Sequence, residues 1–254
     1  MALVSIITIV KDHVTGLRET FASLNEQVHK DWEMIIVAGI SKDSTLKLAK
    51  EISSRDTRIK VIEESGQGIY AAMNEGIQNA NGEFSWFMNA GDRFANAQVL
   101  ERALLEASST KVGLVIGGHR IDGDNKRQVY SYPKKVLSEF DFAFNRRGGC
   151  HQSMIFRTQV LNVIGGFNTD FSLASDFDLA LRVIRLAGAV RVPEIYASVE
   201  PGGSADQFIF SVHRQKHQIR KKFFKKILIT LLSSLWTFAA SSKIVSRRLL
   251  RFPK

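Results

Sequence analysis

One cysteine, Cys150, stands in 254 residues. It has no partner for an internal disulfide, and cysteine-based zinc or iron–sulfur clusters are excluded, so a reducing cytoplasm is the simple expectation. Acidic residues are missing from the end of the chain: none follows Asp206, whereas twelve basic residues run from Arg214 to Lys254. Residues 1–206 hold 23 basic and 25 acidic residues, a sum of about −2, so the formal charge of +10 belongs to a tail. Within that tail, residues 227–242 carry no charge at all and include Leu228, Leu231, Leu232, Leu235, Trp236 and Phe238. At roughly 1.5 Å per residue this run is too short for the ~20 residues of a spanning helix. An interfacial helix drawn to an anionic membrane surface is expected, with a helix packed on the body as the alternative. Nucleic-acid binding is not expected, because an apolar centre has no role in a phosphate-binding arm and no such motif occurs. No charged leader with an apolar core and cleavage site precedes the first strand, so no signal peptide is expected. Internal repeats are lacking too.

What is present fits one substantial core. With 44% hydrophobic residues, the chain suits one catalytic-sized domain over residues 1–206, with residues 207–254 as an appendage. Leu3 to Val10 is an apolar, β-branched run, followed by a helical pattern from about Thr15 to Gln27, a strand Glu33 to Ala38, a helix after Ser44 and a strand near Lys60 to Ile62. Such alternation predicts right-handed crossovers and a parallel α/β sheet. Ligands of such sheets bind beyond the carboxyl ends of the strands, where Thr8, Ala38, Gly39, Glu64 and Asp92 fall. Val112 to Gly117 and Gln128 to Tyr132 read as strands around an Asp122-Gly123-Asp124-Asn125 turn, a hairpin-like insertion.

Asp92 closes the run Phe84-Ser85-Trp86-Phe87-Met88-Asn89-Ala90-Gly91-Asp92. An apolar strand ending in small residues and one carboxylate can present that carboxylate to a hard cation such as Mg2+ or Mn2+, which takes oxygen ligands from one or two carboxylates plus substrate phosphates. The same Asp could instead cap the next helix. Thr8 can serve β-propensity alone, Asp43 and Ser44 can cap a helix, and Glu64 can be an exposed strand-end residue.

The run Gly66-Gln67-Gly68-Ile69-Tyr70-Ala71-Ala72-Met73-Asn74-Glu75-Gly76-Ile77, then Ala80-Asn81-Gly82-Glu83, then the strand to Asp92, resembles the family 2 glycosyltransferases. Gly68 to Ile77 together with Phe87 to Asp92 looks like the subgroup that builds bacterial surface polysaccharides, colanic-acid-type enzymes included. The resemblance implies a GT-A fold, a Rossmann-like mostly parallel sheet with flanking helices, with a nucleotide-sugar half over about 1–110 and an acceptor half over about 111–206. It implies a UDP- or GDP-linked sugar donor and a weakly held Mg2+ or Mn2+ on Asp92, with Thr8, Glu64, Gly68, Asn74, Asn89, His151 and Ser175 as substrate contacts. Asn89 stands where many relatives have a first carboxylate, and Ala38 and Gly39 stand where acids commonly hold the uracil or ribose.

Downstream, Gly148-Gly149-Cys150-His151-Gln152, Gly165-Gly166-Phe167 and Ala174-Ser175-Asp176-Phe177-Asp178 resemble the acceptor half. There the second residue of the pair Ser175-Asp176 is the base, so the resemblance implies Asp176 as base and His151 as a contact for donor phosphates or acceptor. A structural alternative is an S-x-x-D capping box of Ser175 with Asp178, with Asp176 favouring the helix dipole and Asp178 pairing with Arg182 on the surface. Gly202-Gly203-Ser204 followed by His213 and Arg214 resembles the loop that closes over the donor. The implied activity is inverting transfer to a hydroxyl of a glycan or lipid-linked acceptor at the inner face of the plasma membrane. The alternative is a glycosyltransferase-like domain that binds without catalysing.

Overall fold

Val4–Val10 forms β1, the centre of one sheet, and six of its seven residues are buried. Alternate residues of a strand face opposite sides, so near-continuous burial means that both faces are covered. β1 pairs in parallel with β2 (Trp32–Ala38) on one side and β4 (Phe84–Phe87) on the other, and β2 pairs in parallel with β3 (Ile59–Glu63). Three helices connect these strands: α1 (Val14–Asn25), α2 (Thr45–Arg55) and α3 (Ile69–Gln78). The computed structural model describes residues 3–64, 68–122, 127–144, 150–203, 208 and 210–225. The chain divides into two compact units, Met1–Val212 and His213–Lys254. In the second, residues 213–225 are helical.

Past β4 the sheet becomes mixed. The later elements are β5 (Arg93–Phe94), α4 (Val99–Ser109), β6 (Leu114–Asp122), β7 (Arg127–Tyr130), β8 (Lys135–Leu137), α5 (Glu139–Phe144), β9 (Met154–Arg157), α6 (Thr158–Ile164), α7 (Ser175–Ala187) and β10 (Ala189–Val199). Strand order is β3-β2-β1-β4-β9-β6-β10-β5, with β7 on β6 and β8 on β10. β9 enters antiparallel to both β4 and β6, whereas β6 and β10 run parallel. The β6–β7 pair is antiparallel, as the hairpin-like insertion requires, and the turn at 123–126 lies outside the described residues. So do residues 65–67, Gly148, Gly149 and Ser204, and the apolar run of the tail.

Aromatic packing joins the two parts. Trp86 meets Phe94 edge-on at 5.1 Å and Tyr196 at 5.4 Å, and Phe167 lies between Tyr70 (5.2 Å, stacked) and Phe87 (5.0 Å, edge-on). Such pairs add to the burial of their own large apolar area.

Candidate active site

The turn after β4 is held from both sides. On α1, the Thr20 hydroxyl donates to the Asp92 carbonyl at 2.7 Å and accepts from the Gly91 N–H at 3.0 Å. Gly91 has φ of 99°, a conformation that residues with a side chain rarely adopt, which favours glycine there. Asp92 is thereby presented at the strand end, only 4% exposed. Its Oδ2 accepts from Gln152 Nε2 at 2.9 Å and its Oδ1 from the Glu200 N–H at 3.0 Å. Burial, with repulsion from Glu200 adding to it, pushes the Asp92 pKa above the usual carboxylate range against these bonds.

Gln152 is itself fixed. The 3-10 turn His151–Ser153 sits where the indole N–H of fully buried Trp86 donates to the Gln152 carbonyl at 2.8 Å. On the same turn, His151 Nε2 lies 3.0 Å from Asn89 Nδ2, and His151 Nδ1 lies 3.8 Å from Asp176 Oδ2. Asp176 occupies the first turn of α7, and the hydroxyl of Tyr70 engages its carboxyl and the backbone of Ser175 and Asp176. Burial and the neighbouring Asp176 charge raise the Tyr70 pKa, so its proton stays on.

These groups line one cavity of about 410 Å³, together with Ile121, His119, Cys150 and Pro201. A second cavity of about 670 Å³, lined by Lys11, His13, Glu64 and Gly68, shares Ile69, Asn89 and Ala90 with it. The structure therefore brings Glu64, Gly68, Asn89, Asp92, His151 and Asp176 to adjoining walls. It does not bring Thr8, Asn74 or Ser175 there. Thr8 and Ser175 are fully buried, and their hydroxyl oxygens have no hydrogen-bond partner among the described residues. Asn74 uses its amide on Phe167: Nδ2 donates to the carbonyl at 2.9 Å and Oδ1 accepts from the N–H at 2.7 Å. Gly166 makes that approach possible, since its φ is 67° and a Cβ would lie 2.3 Å from Asn74 Oδ1.

Two expectations at α7 need correction. Ala174, not Ser175, is the N-cap and makes no side-chain cap bond, so the capping box does not form. The Asp178–Arg182 pair is not a surface pair: Asp178 is 7% exposed, and Arg182 bonds it at 2.7 Å while donating to the Ile164 and Gly166 carbonyls. It clamps the Gly165-Gly166-Phe167 turn to α7.

Sequence reasoning missed Tyr70, His119, Gln152 and Glu200. Tyr70 stood inside the glycine-started run and Gln152 beside His151, and Glu200 directly follows β10, so each had a signal. His119 had none. It is 9% exposed and stacks on Tyr130 at 4.8 Å, and burial lowers its pKa to about 4. Its Nδ1 has no partner among the described residues.

Among the described residues no trio of His, Cys, Asp or Glu is grouped to hold a metal unaided. Asp92, a buried carboxylate whose charge is poorly compensated, fits a divalent cation that takes its remaining oxygens from a bound diphosphate.

The sequence matches the profile of glycosyl transferase family 2 over residues 5–165. It is 27% identical over 165 residues to a PGL/p-HBAD biosynthesis glycosyltransferase of Mycobacterium bovis (strain BCG / Pasteur 1173P2), covering 63% of this chain and 61% of the relative. The chain thus spans about three-fifths of the length of that relative. The fold resembles Staphylococcus aureus TarS 1-349 in complex with UDP-GlcNAc (TM-score 0.72, 16% identity, 89% of this chain and 66% of that one). It also resembles the mannosyltransferase PcManGT from Pyrobaculum calidifontis in complex with GDP-Man and Mn2+ (TM-score 0.65, 15% identity, 100% and 76%). The GT-A fold implied by the sequence is thus present.

Proposed function

Because the chain belongs to glycosyl transferase family 2, we propose that it transfers a sugar from a nucleoside diphosphate sugar to a hydroxyl of a glycan or lipid-linked acceptor in surface-polysaccharide assembly. One observation carries the reading: Asp92 and Asp176 line a single cavity that adjoins the Glu64 and Gly68 wall. Asp176 accepts the proton of the acceptor hydroxyl as its oxygen bonds to the anomeric carbon. The bond from that carbon to the diphosphate breaks on the opposite side, so configuration inverts and the nucleoside diphosphate leaves. A Mg2+ or Mn2+ on Asp92 would neutralise the leaving diphosphate. Gln152 with the Glu200 N–H keeps Asp92 aimed inward.

UDP-GlcNAc and GDP-mannose, the ligands named for two solved neighbours, are the donors to titrate first, with and without Mn2+. Metal-dependent binding with turnover supports transfer. Binding without transfer to any acceptor favours the non-catalytic alternative, to which Asn89, Ala38 and Gly39 would then belong.

The acid-free tail would bring the enzyme to an anionic membrane surface, where a lipid-linked acceptor is found. No helix among the described residues is long and apolar enough to cross a membrane. Each Lys or Arg near such a surface adds on the order of 1 kcal/mol, so the full-length chain should float with anionic vesicles and be partly released by salt. Failure to float removes the membrane from the reading.

A further inference from the structure

We propose that Asn89 and His151 form a positioning pair for Asp176, so that the amide at position 89 serves the base rather than the cation. This rests on the reading of Asp176 as the acceptor base. The contacts run in series: Asn89 Nδ2 to His151 Nε2 at 3.0 Å, then His151 Nδ1 to Asp176 Oδ2 at 3.8 Å. An amide NH2 only donates, so Nε2 must offer its lone pair, and the proton of the neutral ring stands on Nδ1, facing Asp176. Turning the amide over would put the proton on Nε2 and aim the Nδ1 lone pair at a carboxylate. The orientation shown is the one that also suits Asp176.

A carboxylate at position 89 could not do this. It accepts only, so it would require a proton on Nε2, either turning the Nδ1 lone pair toward Asp176 or, with a carboxylate on each side, making the ring an imidazolium. The amide is therefore the residue type that a neutral ring with its proton on Nδ1 needs.

The other groups around Asp176 agree with a held base. Its Oδ1 accepts from the Phe177 N–H at 2.8 Å, and Tyr70 engages it from α3. Around His151, Asp92 lines the same cavity, and the adjacent Cys150 thiol is pushed up to about 12 by burial and stays neutral. The 3.8 Å contact exceeds a hydrogen bond. Catalytic contacts are often long in the unliganded state and tighten with substrate, so the ring has its proton in place before the acceptor arrives.

Ring-nitrogen NMR of 15N-histidine-labelled full-length protein tests this without any substrate. Six histidines are present, and the His151 signals are assigned by their loss in His151→Gln. The expected spectrum has Nε2 unprotonated and Nδ1 protonated. Asn89→Asp should put a proton on Nε2, with Nδ1 either deprotonated or protonated as well, and Asp176→Asn should shift the Nδ1 resonance with Nε2 still unprotonated. A wild-type proton on Nε2, or an Asp176→Asn spectrum with Nδ1 unmoved, overturns the pairing even in an active enzyme. Should Asn89→Asp not fold, the wild-type and Asp176→Asn spectra still decide. An enzyme inactive with every donor, its Nδ1 protonated, would refute the catalytic reading while leaving the pairing intact.

Discussion

The turn after β4 and the start of α7 face one cavity, yet they hold their carboxylates under different conditions. Asp92 is 4% exposed, with an amide and a backbone N–H fixed on its two oxygens. The Asp176 side chain is 24% exposed and is met by an imidazole and a phenol, groups that can follow a change in its charge. A carboxylate pinned by donors and poorly hydrated wants a permanent positive partner. One near the mouth of the cavity, beside proton-bearing side chains, can gain and lose a proton. On the proposed reading, this difference suits the Asp92 wall to the diphosphate and the Asp176 wall to the acceptor.

Substitutions can break this contrast, and the largest expected effect is on the acceptor wall. Asp176→Asn should lower transfer by roughly 10^2 to 10^4-fold while donor affinity, read by calorimetry, stays within error. Weakened donor binding in that variant would merge the two walls.

The next effect lies between them, at His119. Its folded pKa is depressed to about 4 from 6.5, so the neutral ring stabilises the fold above pH 6.5 and that contribution is lost as pH falls through about 4. The full loss is on the order of 3 kcal/mol at about 1.4 kcal/mol per unit. Denaturant midpoints from pH 7 to pH 4 should fall more steeply in wild type than in His119→Phe; parallel slopes would mean that His119 titrates freely.

Asn74→Ala should cost about 1–3 kcal/mol by leaving the Phe167 N–H and carbonyl unpaired. Donor affinity should survive. A loss of donor binding without a loss of stability would return Asn74 to the ligand.

The smallest effect is expected at Asp92. Asp92→Asn should weaken Mn2+-dependent donor binding about tenfold, or about 1.4 kcal/mol. Without metal the two proteins should bind alike, and equal affinities in Mn2+ would detach the cation from Asp92.

The stretch from β1 to β4 was legible because its strands and helices alternate with the periods of their own local sequence. The strand-end rule led to Asp92 and Glu64, which line the cavities, but also to Thr8, which is buried away from them, while Gly68 came from the resemblance. The later part was less legible: β9 slots antiparallel between β4 and β6, and no local pattern announces a pairing made with strands so far away in sequence. Asn74 shows the same limit at one residue. Its place in a familiar run suggested a ligand contact, but its partner is the backbone of Phe167, brought close only by a glycine turn. Ser175 read as a cap for a similar reason, since the chain's entry into α7 is set by the Arg182 clamp behind it.

The two bonds on Asp92 also put a clock on the molecule. They reach forward 60 and 108 residues, to Gln152 and Glu200. Long loops must close before such contacts form, and a chain leaving the ribosome presents residue 92 well before either partner. The donor wall can take shape during synthesis, but the carboxylate that completes it waits for the end of β10. A nascent or truncated chain ending before Glu200 would own the nucleotide half and still lack a finished site.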